Sequence, residues 1–295
     1  MEDIKHLRID EYLNSTKNTI VIDLVSTNQE VLALKSQEFH NNTQRIFTNA
    51  TKITANSLQL REAYFDVLKT DTSSVAPYFK APLDTFLVEF STQYNDERMV
   101  ALVKVLPYDV YAIYVKGLTD PRIPEGETPR VLVVESVMIG TEGGASRFIT
   151  LPIIAFMVEG FDCIGTEAHK WDGTGFSEEV LGTAKNNMNT VCQQLYVLVI
   201  MMNTKNATTQ VQVLSPEKLN KSRAKKGKYK YSGYTNIELL TGEQFYKNST
   251  GKTGSSKSRH LVRGHMKKRK TGLYWWEPHM AGGGDELKRK AYIVK

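Results

Sequence analysis

From Ser177 to Asn203 apolar side chains recur at intervals of three and four, at Val180, Leu181, Ala184, Met188, Val191, Leu195, Leu198 and Met202. Ser177 stands ahead of them as an N-cap, followed by Glu178 and Glu179. The spacing predicts a long helix facing a core, with its methionines as filler in that core. At 295 residues and 41% apolar content the chain can bury such a helix, within one large domain or two ordinary ones.

The segments around the helix favour a sheet. Thr19–Val25 is short and β-branched and reads as a buried strand, whereas Asn28–Lys35 and Asn56–Leu68 carry the caps and spacing of helices. Pro77 and Pro82 break the pattern. A run of strands is expected after them, over Thr85–Phe90, Met99–Leu106, Val110–Val115, Arg130–Ile139 and Arg147–Val158. The glycines between Gly140 and Ser146 suit a hairpin turn, and no helix or Lys-Ser/Thr follows them as a phosphate loop requires. Gln210–Leu214 reads as a strand, and Ser215-Pro216-Glu217 as an N-cap with Pro at the first helical position. A short basic helix over Leu219–Lys226, ended by Gly227, and a strand over Tyr229–Leu240 complete the pattern. Thr250–Ser258 reads as a loop; its Gly-Lys-Thr triplet has Tyr246 where a P-loop needs glycine. The predicted class is α+β, with a central, mostly antiparallel sheet, a long core helix and a basic C-terminal β-hairpin module.

Charge divides the chain. From Ser215 to Lys295 there are 20 Lys and Arg against 6 Asp and Glu, a balance of +14; the first 214 residues hold the other 18 basic and 26 acidic ones, a balance of −8. We read residues 1–214 as an acidic α/β core region and 215–295 as a basic module whose partner is a polyanion. Cys163 and Cys192 lack disulfide or zinc spacing and are expected to be reduced thiols in a reducing, cytoplasmic compartment. The N-terminus lacks a signal-peptide pattern, and the apolar run Leu195–Met202, eight residues long, is too short to span a membrane. No metal-ligand set is legible, and the sequence names no cofactor.

Three of the six histidines and two of the three tryptophans lie between Arg259 and Met280. His260–Arg269 and Leu273–His279 are strand-like and flank Lys270-Thr271-Gly272, which fits a three-residue hairpin loop with Gly272 at its left-handed position. In that register Arg263 faces His279, His265 faces Glu277 and Lys267 faces Trp275, all on one side. A two-residue loop pairing His265 with Pro278 would instead move His279 to the other side. Arg263 can grip a phosphate, His265 or His279 can move a proton near neutral pH, and Trp275 or Trp276 can stack on a base. Lys267, Lys268 and Arg269, with His260 and the upstream Arg223, Lys225, Lys226 and Lys228, add phosphate-binding charge. In the plainer alternative the tryptophans anchor a small core and Lys267–Lys270 is a solvated tip.

His260-x-Val262-Arg263-Gly264-His265, followed by Lys268, Trp276, Pro278 and His279, resembles a motif of proteins encoded by bacteriophages and prophages. Leu219-Asn220-Lys221-x-Arg223 ended by Gly227-Lys228 is similar to a basic helix that precedes the ribbon in that group. Pro82–Phe90, ending in Glu89-Phe90, is weakly similar too. The specific part covers about the last 80 residues, and Met266 and Ala281 stand where an aromatic residue and Arg are common in the group. The resemblance implies a phage gene product acting in the bacterial cytoplasm and carries no activity with it. Three functions are therefore expected, in order: a nucleic-acid-binding protein; a phage inhibitor docking on a host antiviral defence complex; and a metal-independent phosphodiesterase using Arg263, His265 and His279.

Overall fold

The computed structural model describes residues 7–14, 29–68, 72–91, 98–110, 129–142, 145–151, 153–160, 164–168, 178–239, 260–262, 265–276 and 279–281. In β2 (Thr85–Ser91) the five residues from Phe86 to Phe90 are all buried. A strand buried on both faces must lie inside a sheet covered on both sides. Its neighbours are β1 (Thr51–Asn56), parallel, and β3 (Arg98–Pro107), antiparallel.

Beyond β3 come β4 (Arg130–Glu142), β5 (Ala145–Thr150), β6 (Ile153–Val158) and β7 (Ile164–Ala168), all antiparallel to their neighbours. On the other side of β1 the chain adds β8 (Thr208–Val213) and β9 (Tyr234–Leu239), and β9 runs parallel to β1. The sheet therefore has nine strands in the order β7-β6-β4-β3-β2-β1-β9-β8, with β5 also on β4. It is mostly antiparallel, as expected. The chain beyond Ser215 supplies β9, a strand inside this sheet.

Helices cover both faces. Alternate residues Phe86, Val88 and Phe90 of β2 face a core shared with α3 (Ser57–Leu68) and the long helix α5 (Glu178–Met202); the turn α4 (Thr72–Val75) lies between α3 and β2 in the chain. Leu87, between them in sequence, joins the opposite core with α1 (Ile9–Leu13) and Phe47 of α2 (Gln29–Phe47). The parallel β1–β2 pair needs a crossover, and α3 starts it: Asn56 Oδ1 accepts the N–H groups of Leu58 and Gln59 at 2.9 and 3.1 Å. No described helix is long and apolar enough to cross a membrane.

Several expected elements change in detail. Arg147–Val158 is two strands, because the partner of β4 advances from Thr150 to Ala155 while β4 moves only from Val137 to Val134. The chain between the two strands includes Pro152, which by its chemistry has no N–H to give a ladder. Strand β9 begins at Tyr234, later than the expected Tyr229. Glu142 lies opposite Ala145, so the glycine-rich segment joins the two strands of a hairpin. Val110, expected to open a strand, is helical together with residues 108 and 109. The rest of that expected strand, Thr19–Val25, Ser177, Cys163 and Thr250–Ser258 lie outside the described residues.

Two buried carboxylates fasten α1 across the sheet. Glu89, on central strand β2 and 2% exposed, accepts the backbone N–H groups of Arg8 and Ile9 at 3.2 and 2.9 Å. Asp10 reaches the other way, accepting from the Ser232 N–H at 2.7 Å and hydroxyl at 2.8 Å, with Lys52 Nζ at 4.0 Å. Lys52 is 5% exposed, so Asp10 is the charge that compensates its burial.

Candidate nucleic-acid interface

The basic ribbon exists, in a register different from either expected one. Strands β11 (His265–Arg269) and β12 (Gly272–Trp276) pair His265 with Trp276, Met266 with Trp275, Lys267 with Tyr274, Lys268 with Leu273 and Arg269 with Gly272. The turn is thus Lys270-Thr271, and Gly272, at φ +129°, opens β12 instead of closing the loop. Strands β10 (His260–Val262) and β13 (His279–Ala281) pair Val262 with His279 and His260 with Ala281.

Burial explains this register. Met266, Leu273 and Trp275 are 6%, 1% and 8% exposed and belong to the same core as α3 and α5. The three-residue loop would have put two cations, Lys267 and Arg269, on the face of Trp275 and Leu273, where the observed register puts one, Lys268, which stays exposed. A backbone bridge completes the seating. The Lys205 N–H donates to Leu273 O at 3.0 Å and the Trp275 N–H to Lys205 O at 3.2 Å.

The observed register overturns the expected pairings of Arg263 with His279, His265 with Glu277 and Lys267 with Trp275. Arg263 itself, and the side chains of His260, His265 and His279, lie outside the described residues. Trp275, expected to be able to stack on a base, is a core anchor. Trp276, one residue on, is 37% exposed on the opposite face.

That outward face alternates cations with rings. Lys267 Nζ lies 4.6 Å from the Trp276 ring centre, Arg269 lies 5.3 Å from Tyr274 and 5.5 Å from Trp276, and Lys205 Nζ lies 5.3 Å from Tyr274. The Tyr274 hydroxyl is 2.9 Å from that of Thr271 and accepts from Lys205 Nζ at 3.4 Å. These hydrogen bonds, the one from Thr271 foremost, hold its phenol below the usual tyrosine range. Lys267, Lys268, Arg269 and Lys270 are exposed, and none is ion-paired with an acid among the described residues. Lys205 and Tyr274 escaped sequence reasoning. Tyr274 could have been found by counting two back from Trp276, whereas Lys205 is brought in only by folding.

The basic helix α6 (Glu217–Lys225) presents Lys225, and the chain after it Lys226 and Lys228, to solvent. Arg223 has other duties. Its guanidinium lies 4.5 and 4.0 Å from the rings of Tyr229 and Tyr231, and its Nε donates to Tyr229 O at 2.7 Å. Asn220, 7% exposed, donates to Ser215 Oγ and Tyr231 O and accepts from the Tyr231 N–H, all at 2.8 Å. Ser215, expected as an N-cap, instead donates its hydroxyl to Tyr231 O at 2.9 Å, and Pro216 takes the cap position. These contacts keep 229–233 out of the strand. Gly227, at φ +63°, ends the helix as expected: its N–H meets Ala224 O, and that of Lys228 meets Arg223 O. Asn220→Ala is expected to cost about 2–4 kcal/mol, read from urea unfolding, because it removes three hydrogen bonds and strands buried partners.

Cys192 is buried, which pushes its thiol up to about 12 and leaves it a poor nucleophile. No three His, Cys, Asp or Glu side chains gather as a metal-binding group among the described residues. No family model, curated protein or solved structure matches the chain.

Proposed function

We propose that this protein binds nucleic acid through the outward face of the β11–β12 hairpin, assisted by Lys225, Lys226 and Lys228 around the end of α6. The observation that carries the reading is the pair of exposed cations Lys267 and Arg269 beside Tyr274 and Trp276 on one face of a ribbon whose other face is seated on the core, with Lys268, opposite Leu273, and Lys270, in the turn, also exposed. Such cations are a solvated hairpin tip when alone. Interleaved with rings and held on a rigid base, they match the phosphate-and-stacking vocabulary of nucleic-acid surfaces. In keeping with the resemblance carried by about its last 80 residues, we read it as a phage gene product of the bacterial cytoplasm.

Cleavage of the strand is a weaker reading, because the register does not build the Arg263–His279 and His265–Glu277 pairs on which it rested. Docking on a host defence complex rests on the resemblance alone.

Electrophoretic mobility shifts over a salt series test the proposal. Binding is expected to weaken with a log–log slope of about −3 to −4 if the four cations Lys267, Lys268, Arg269 and Lys270 each neutralise a phosphate. Charge-neutral replacement of Lys267 and Arg269, the two on the outward face, should lower the slope by about 1.5 to 2. Absence of binding at any salt concentration rejects the proposal.

A further inference from the structure

The ribbon's two faces divide its aromatic residues, and the division bears on which form of nucleic acid it takes. We infer that the outward face of the hairpin is a stacking platform for single-stranded nucleic acid, with Trp276 and Tyr274 each receiving a base and Lys205, Lys267 and Arg269 holding the phosphates. This rests on the nucleic-acid reading above and adds the strandedness of the ligand.

Strand geometry comes first. Tyr274 and Trp276 are two residues apart on β12 and so stand on one face, about 7 Å apart along the strand. Stacked bases in a duplex rise about 3.4 Å per step. Two bases seated on these two rings are therefore pulled out of register with each other, which an unpaired strand accepts and a duplex resists. A duplex also hides its base faces within the stack and shows only edges and phosphates, for which projecting rings are poor readers. Every unpaired base has a face to offer.

The cations are placed for the same exchange. Lys267 lies over Trp276, and Lys205 and Arg269 flank Tyr274, all at 4.6 to 5.5 Å. In the free protein they cover the rings and keep them oriented. An exposed cation–π contact is weaker than base stacking, so an arriving base displaces the long side chain, and the charge swings to the neighbouring phosphate. Lys205 matters here because it lies three residues beyond the end of α5 and is fixed to the ribbon by its own backbone hydrogen bonds to Leu273 and Trp275. The platform is thereby built on the protein's main core.

Full-length protein should be titrated with a labelled single-stranded oligonucleotide of about 16 nucleotides, as DNA and as RNA, and with the matching duplex, at one salt concentration. The single strand is expected to bind at least tenfold more tightly, with quenching of tryptophan fluorescence. Trp276→Ala should weaken single-strand binding about tenfold, abolish most of the quench and leave the salt slope unchanged, while Trp276→Phe restores most of the affinity. Unchanged melting of both variants shows that the fold is kept; if the alanine variant melts early, Tyr274→Ala serves in its place with the same expected weakening. Equal affinity for single strand and duplex, or a Trp276 variant that binds normally, overturns the stacking platform and leaves nucleic-acid binding standing. Failure to bind any of the three ligands overturns both.

Discussion

Trp275→Ala is expected to destabilise the protein by about 3–5 kcal/mol, the usual range for deleting a large ring from a packed core. The ring is 8% exposed in a core that also holds Met266 and Leu273 from the ribbon and residues of α3 and α5. Its loss removes the largest of the three side chains that seat the hairpin. Trp276→Ala, one position along, should change stability by less than about 0.5 kcal/mol, since that ring is partly exposed and belongs to no buried cluster among the described residues. Urea unfolding of the two variants gives the comparison. The Trp275 indole N–H has no hydrogen-bond partner among the described residues, so Trp275→Phe should cost well under half of the alanine change: it keeps a ring and removes an unsatisfied donor. Equal effects of the two alanine variants would mean that the ribbon is not seated as described.

The adjacent tryptophans also show how far the sequence could be read. Their opposite roles follow from the period-two rule, yet which one points inward depends on register, and register was decided by Met266 and Leu273 together. Gly272 invited a three-residue loop because it suits a left-handed position. It does adopt a positive φ, but at the start of β12, where no side chain limits it. The long helix was legible nearly to the residue, since its apolar spacing over Ser177–Asn203 became Glu178–Met202. Strands β2, β3 and β4 were legible for the same reason: continuous apolar runs leave few alternatives.

Strand β1 was not legible. Thr51-Lys-Ile-Thr-Ala-Asn56 contains Lys52 and Thr54, which are 5% and 1% exposed in the structure. Polar residues at buried positions become readable only when their partners are known, and the compensating charge on Asp10 comes from α1, far away in the chain. The same holds for Asn220, which looks like one polar residue among many on a basic helix and is in fact buried and fully engaged. Of the candidate interface, the cations and Trp276 could be named from the sequence, and burial of a tryptophan was one of its two readings; Lys205, and which of the two tryptophans is buried, could not be named, because both depend on where the ribbon docks.

Stability is expected to fall by about 3 kcal/mol between pH 4.5 and 7 through Glu89 alone. Burial raises this carboxyl from its ordinary 4.5 to about 7, against the opposing pull of the Ile9 and Arg8 N–H groups and of Arg98. Below about pH 4.5 the group is protonated whether the chain is folded or not, and its preference for the folded environment contributes in full. As the pH rises towards 7 the unfolded chain loses the proton freely, while the folded chain either retains it or carries a buried charge, so the contribution is lost through that window. A carboxyl raised from 4.5 to about 7 favours the folded state by about 1.4 kcal/mol for every pH unit between those values, or about 3 kcal/mol in all. Glu135 is pushed up by burial as well and adds to the same slope. Urea midpoints measured at half-unit steps from pH 4.5 to 7.5 should trace the decline. Glu89→Gln should flatten it and lower the stability at pH 5, because an amide sets its own N–H against one of the two donors that fasten α1. A stability that rises with pH across this window, unaltered by the glutamine variant, would show that Glu89 does not retain its proton in the folded protein.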